Sequence, residues 1–103
     1  MHHLARLADS FARLADLEPD PNGEVAHTLR HLVSAAARND LKRFAAEGAE
    51  LVRALDRALA GRIADALADR YRALRGLLNT LATALGTPKG YGLKILADLD
   101  GLA

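Results

Sequence analysis

Leucine and alanine recur at three- and four-residue intervals through most of this chain, and clusters of proline and glycine interrupt the rhythm in two places. That spacing is the strongest constraint on the fold, because residues three and four apart share one face of an α-helix, whereas a strand needs alternation by two. Leu4, Leu7, Phe11 and Leu14 set the pattern, with Ala8 and Ala15 beside them, and predict a first helix from about residue 3 to 17. Ala-Arg-Leu-Ala-Asp occurs at 5–9 and again at 12–16, which reads as one amphipathic helix written in a biased alphabet rather than as a repeat protein. β-Branched residues are scarce and do not alternate with polar ones, while the strong helix formers Ala, Leu, Arg and Glu abound.

The breaks divide the rest. Leu17 to Gly23 contains Pro19, Pro21 and Asn22-Gly23, the firmest loop signal in the sequence. A second helix is predicted from Glu24, whose charge suits a helix N-terminus, to about Arg38-Asn39. Asn39 tolerates the left-handed conformation that ends helices, and Asp40 is an N-cap for a third helix. The third helix places Leu41, Phe44, Ala45, Gly48, Leu51, Val52, Leu55 and Leu59 on one face. Gly61 is read as a break, after which Ile63, Leu67, Leu74, Leu77, Leu78, Leu81 and Leu85 form the apolar side of a fourth helix. Without that break, residues 40–86 would form one helix about 70 Å long, and the chain would be a helix-turn-long-helix homodimer. Gly86 to Gly92 is a second loop, and a short helix from about 93 to 100, with Leu93, Leu96 and Leu99, is expected to close one end. The expectation is a single all-α domain over 1–103, an antiparallel four-helix bundle with a short C-terminal helix.

Composition excludes several function classes. The 103 residues suffice for one modest core. With 14 basic against 13 acidic residues, nothing forces a nucleic-acid or anionic-membrane partner. Cysteine is absent, which removes disulfides, thiol catalysis and cysteine-type zinc sites, and fits a reducing compartment; a cytoplasmic location is expected. No apolar run is long enough to span a membrane, and Arg6 and Asp9 interrupt anything resembling a secretory signal.

Chemistry concentrates on the second helix. With Val25 at the origin of a wheel of about 100° per residue, Leu29, Leu32, Val33 and Ala36 fall on its side, and His27, His31, Ser34 and Arg38 fall together opposite. His27 and His31 lie one turn apart, the spacing at which two imidazoles share a metal ion, although a third ligand has to come from another helix or a second subunit. No Glu follows His27 directly, so the HExxH protease motif is absent.

The segment Ala26-His27-Thr28-Leu29-Arg30 resembles the phosphoacceptor region of histidine-containing phosphotransfer domains, which reads roughly Ala-His-Ser/Thr-Leu-Lys-Gly-Ser-Ala. Those domains are four-helix bundles that relay phosphate between response-regulator receivers. The resemblance implies His27 as phosphoacceptor, Arg30 as the nearby cation in place of the family's lysine, and a receiver domain as partner. It covers about 16 residues, and His31 stands where the family has glycine, Leu32 where it has a small residue.

Other groups read as structural. Glu47, Glu50, Asp65 and Asp69 could present acids on two helices, as all-α nucleotide pyrophosphohydrolases do for Mg²⁺, but the last two lie beside Arg62 and Arg72 in the pattern of surface ion pairs. Arg70 falls within an apolar arc with Tyr71 next to it, a pattern of bundle-edge snorkelling or of an interface anchor. Lys89 to Gly92 is an ordinary turn. The reading is a small non-enzymatic module that binds other proteins, including a second copy of itself, with no cofactor. Its candidate contacts are His31, Ser34, Arg38, Arg70 and Tyr71, and phosphotransfer through His27 is its sharper form. The alternatives are metal binding by His27 and His31, and a nucleic-acid-associated regulator using Arg53, Arg57, Arg62, Arg72 and Arg75, against which the interleaved acids count.

Overall fold

The computed structural model describes residues 3–84 and 98–102. Four helices follow one another, α1 (His3–Asp16), α2 (Glu24–Ala37), α3 (Leu41–Ala60) and α4 (Asp65–Ala84), and a short helix α5 covers 98–102. They form an all-α bundle, and among the described residues there is no strand.

The helix ends follow local chemistry. The Asp20 carboxylate accepts the Asn22 N–H (3.0 Å) and its carbonyl accepts the Gly23 N–H (3.0 Å), which turns the chain around Pro21. Asn39 has φ 54°, and the Asn39 and Asp40 N–H groups return to the Ala36 and Ala35 carbonyls (both 3.0 Å), a Schellman ending for α2. Asp40 then accepts the Arg43 N–H (3.1 Å) as the N-cap of α3. Gly61 ends α3 in extended backbone rather than in a left-handed turn, and Asp65 supplies an acidic first turn to α4.

Ion pairs show the directions. Arg57 near the end of α3 holds Glu24 at the start of α2 (2.6 Å), while Glu47, earlier in α3, lies 3.7 Å from His31 further along α2. Arg75 of α4 holds Asp56 of α3 (2.6 Å), and Glu18, just past α1, meets Arg70 in the first half of α4. α2 and α3 are therefore antiparallel, and so are α3 and α4, since the start of α3 at Phe44 and Gly48 also meets the end of α4 at Leu78 and Leu81. The molecule is 39 Å in its longest dimension, so the 70 Å helix and the dimer built on it are not the arrangement adopted.

The core is a layer of Leu7, Phe11 and Leu14 from α1, Leu29 and Leu32 from α2, Phe44, Leu51 and Leu55 from α3, and Tyr71, Leu74, Leu78 and Leu81 from α4. Phe11 and Phe44 meet edge to face with centroids 6.0 Å apart. Leu99 of α5 is fully buried and closes the bundle as expected; Leu85, the loop at 86–92, Leu93 and Leu96 lie outside the described residues.

Two apolar faces differ from the sequence reading. On α3 the buried arc is Phe44, Leu51, Ala54 and Leu55, while Leu41 is 49% exposed, Ala45 is exposed, and Val52 and Leu59 are half-buried. The reason is the small side chains: Ala45, Gly48, Ala49 and Ala82 do not fill the space between α3 and α4, which leaves an apolar cleft of about 250 Å³ there. On α4 the arc centres on Tyr71, Leu74, Leu78 and Leu81; Ile63 precedes the helix, and Leu67 and Leu77 sit at the arc's margin, half-buried.

Candidate functional site

α2 is held by its dry side. Ala26 and Leu32 are fully buried and Leu29 is 1% exposed, so the helix cannot rotate without exposing the centre of the core. Thr28, also buried, gives its hydroxyl hydrogen to the Glu24 carbonyl (2.8 Å). The opposite side carries His27, His31, Ser34 and Arg38, all exposed, as the wheel predicted, and Arg30 is exposed as well.

His27 and His31 have ring centroids 4.3 Å apart and tilted by 47°. His31 Nδ1 lies 3.7 Å from a Glu47 carboxylate oxygen, an ion pair when the imidazole is protonated, and Arg43 Nε is 3.8 Å from the same oxygen. Glu47 is mostly buried by these neighbours, so α3 contributes an acid to the histidine face that the sequence did not assign there. The signal was legible in principle, since Glu47 lies on the margin of the α3 apolar arc, but pairing it with His31 needed the antiparallel register. Among the described residues no group of three His, Asp or Glu side chains converges as a metal centre, so His27 and His31 offer a metal two ligands without the third.

Beyond His31, a cavity of about 240 Å³ lies at the junction of α2 and α3, lined by His31, Ser34, Ala35, Arg38, Asp40 and Arg43. Neither Arg30 nor Arg38 has a carboxylate partner among the described residues.

Arg70 and Tyr71 belong to α4 and do not share this face. Tyr71 is 4% exposed and donates its hydroxyl to Glu18 (2.6 Å), while Arg70 reaches the other Glu18 oxygen (3.5 Å) and the Leu17 carbonyl (3.5 Å). Burial first, then the bond to Glu18, pushes the Tyr71 hydroxyl's pKa upward. The two residues tie the loop after α1 to α4.

The arginines of the nucleic-acid reading are mostly neutralised. Arg53 pairs with Glu50, Arg57 with Glu24, Arg72 with Asp69 and Arg75 with Asp56. The same pairs occupy Glu50 and Asp69, two of the four acids of the Mg²⁺ reading. No family model, no curated protein and no solved structure matches the chain. No helix among the described residues is long and apolar enough to cross a membrane.

Proposed function

We propose that this chain is a cytoplasmic, non-enzymatic helical module that binds another protein through the exposed face of α2, and that His27 on that face accepts a phosphoryl group from a receiver domain. The observation that carries the reading is His27 itself: an exposed imidazole on a helix fixed by the buried Ala26 and Leu29, with Arg30, which has no carboxylate partner among the described residues, about one turn on. In the transfer, the unprotonated ring nitrogen attacks the phosphorus of an aspartyl phosphate. The N–P bond forms as the acyl O–P bond breaks, and the aspartate leaves as a carboxylate while the second ring nitrogen keeps its proton. A guanidinium beside the imidazole offsets the phosphoryl charge. His31, its ring 4.3 Å from that of His27, narrows the approach at the position where the resembling family has glycine.

The test is incubation with a panel of phosphorylated receivers. An acid-labile label should appear on the native protein, be lost in His27→Gln, and form faster in His31→Gly. If neither the native nor the His31→Gly protein takes label from any receiver, the phosphotransfer reading is wrong.

Self-association is the second reading, favoured by Leu41, 49% exposed one turn from the apolar cleft between α3 and α4. Light scattering at micromolar and higher concentration should give a dimer that Leu41→Glu dissociates; a native monomer throughout ends this reading.

A further inference from the structure

The junction of α2 and α3 holds a cluster of cations, His31, Arg38 and Arg43, against which stand the carboxylates of Glu47 and Asp40. From Val25 to Asn39 the chain has no carboxylate, whereas the exposed faces of α3 and α4 interleave both signs. Arg38 lines the junction cavity with no acid partner among the described residues. Its neighbour Arg43 has Glu47 at 3.8 Å and shares that carboxylate with His31 at 3.7 Å. Elsewhere the bundle closes its surface pairs tightly: Arg57 to Glu24, Arg72 to Asp69 and Arg75 to Asp56 are each 2.6 Å. Arg38 and Arg43 are thus less tightly engaged than these three arginines.

The other groups of the cavity agree in kind. Ser34 contributes a hydroxyl that makes no hydrogen bond among the described residues. The one carboxylate on the lining, Asp40, is already used as the N-cap of α3, accepting the Arg43 N–H at 3.1 Å. Three carbonyls in the last turn of α2, those of Ser34, Ala36 and Ala35, accept the N–H groups of Arg38, Asn39 and Asp40. Two guanidinium forks, a hydroxyl and an imidazole converge on a space of about 240 Å³. That is below the range of about 300–1,000 Å³ typical of sites for drug-sized ligands, so the space suits a small group. Planar forked donors match the oxygens of a phosphate better than those of any neutral ligand.

We infer that the cavity bounded by His31, Ser34, Arg38 and Arg43 is a binding subsite for a phosphate group, held by bidentate contacts from Arg38 and Arg43. The subsite does not depend on His27 becoming phosphorylated. It accepts phosphate as the free ion or as the monoester of a larger molecule, and the two sources are separable by experiment.

The experiment is a ¹⁵N amide chemical-shift titration of the native protein and of His27→Gln, each with inorganic phosphate and with phenyl phosphate, at constant ionic strength made up with chloride. Saturable shifts confined to about residues 31–43 are expected in both proteins. Arg38→Gln and Arg43→Gln should each weaken binding about tenfold or more, the scale of one lost charge-assisted contact, and Lys42→Gln, outside the cavity, should change it little. Arg38→Lys, which keeps the charge and loses the fork, should fall between. Phenyl phosphate binding as tightly as the free ion, or more so, identifies an esterified phosphate as the ligand; binding of inorganic phosphate alone identifies the free ion. Melting curves of each variant confirm that it is folded. Absence of saturable shifts with either probe, shifts that chloride reproduces, or binding that a folded Arg38→Gln protein retains would each overturn the inference. Because His27→Gln cannot be phosphorylated at that position, its result is independent of the phosphotransfer test.

Discussion

Tyr71→Phe isolates a single contact between the loop after α1 and the face of α4. The ring stays, at 4% exposure in the core, and only the hydroxyl that donates to Glu18 at 2.6 Å is removed. The Glu18 side chain is 5% exposed, so its carboxylate keeps Arg70 at 3.5 Å but has little bulk water to replace the lost donor. A hydrogen bond to a charged, buried acceptor contributes about 1.5–3 kcal/mol, and the cavity that opens beside Glu18 and Tyr71 favours the lower half of that range by admitting a water. For a domain of this size each kcal/mol moves Tm by about 4–8 °C, so a drop of roughly 10 °C is expected. Urea unfolding gives the free energy, with Glu18→Gln and the double variant completing a cycle whose coupling should exceed about 0.5 kcal/mol. The raised pKa of Tyr71 adds a pH signature. The folded state holds this proton more tightly than the unfolded chain, so the contribution is complete below the ordinary tyrosine value of about 10 and is lost as pH climbs beyond it. Tyr71→Phe should lack that part of the alkaline loss. A stability change under about 0.5 kcal/mol with no coupling to Glu18 would refute the reasoning.

Phe11→Ala, which empties the centre of the core and removes the edge-to-face contact with Phe44, should cost about 3–5 kcal/mol in calorimetry or urea unfolding. Asp40→Ala removes the cap on Arg43 and should destabilise by about 0.5–2 kcal/mol, whereas Asn39→Gly, at φ 54°, should leave stability unchanged or raise it slightly. Asp100 accepts hydrogen bonds from Ser10 and Arg13, which hold its carboxyl below the usual carboxylate range against an opposing desolvation. This clasp is present above the unfolded value of about 4 and is lost as pH falls through the lowered folded one, so amide exchange in 98–102 should quicken selectively on acidification and in Asp100→Asn.

Particular residues show how far the sequence reached. Leu4, Leu7, Phe11 and Leu14 are all buried, because a helix whose apolar residues recur every third and fourth position has one face to hide. The Asn39-Asp40 junction needed only local chemistry: a residue that tolerates positive φ, followed by one that caps. The placement of His27 and His31 on the wet side of α2 followed from the wheel alone. Ser10 and Glu18, whose polar side chains are buried, were not placed, since each partner lies far away in sequence: Asp100 for Ser10, Tyr71 and Arg70 for Glu18.

The sequence by itself determined the helices, their ends and the side of α2 that meets water, because hydrophobic period, capping and backbone preference act within one or two turns of chain. Only the tertiary structure decided which margin of α3 faced the core. There the small side chains of Ala45, Gly48 and Ala49 leave a cleft toward α4, and the buried arc moved to Phe44, Leu51, Ala54 and Leu55. It also decided that Glu47 reaches the histidine face and that Arg38 and Arg43 line one cavity. Those meetings depend on the register in which α2 and α3 pack, and register is set by many core contacts summed across helices rather than by any one stretch of residues.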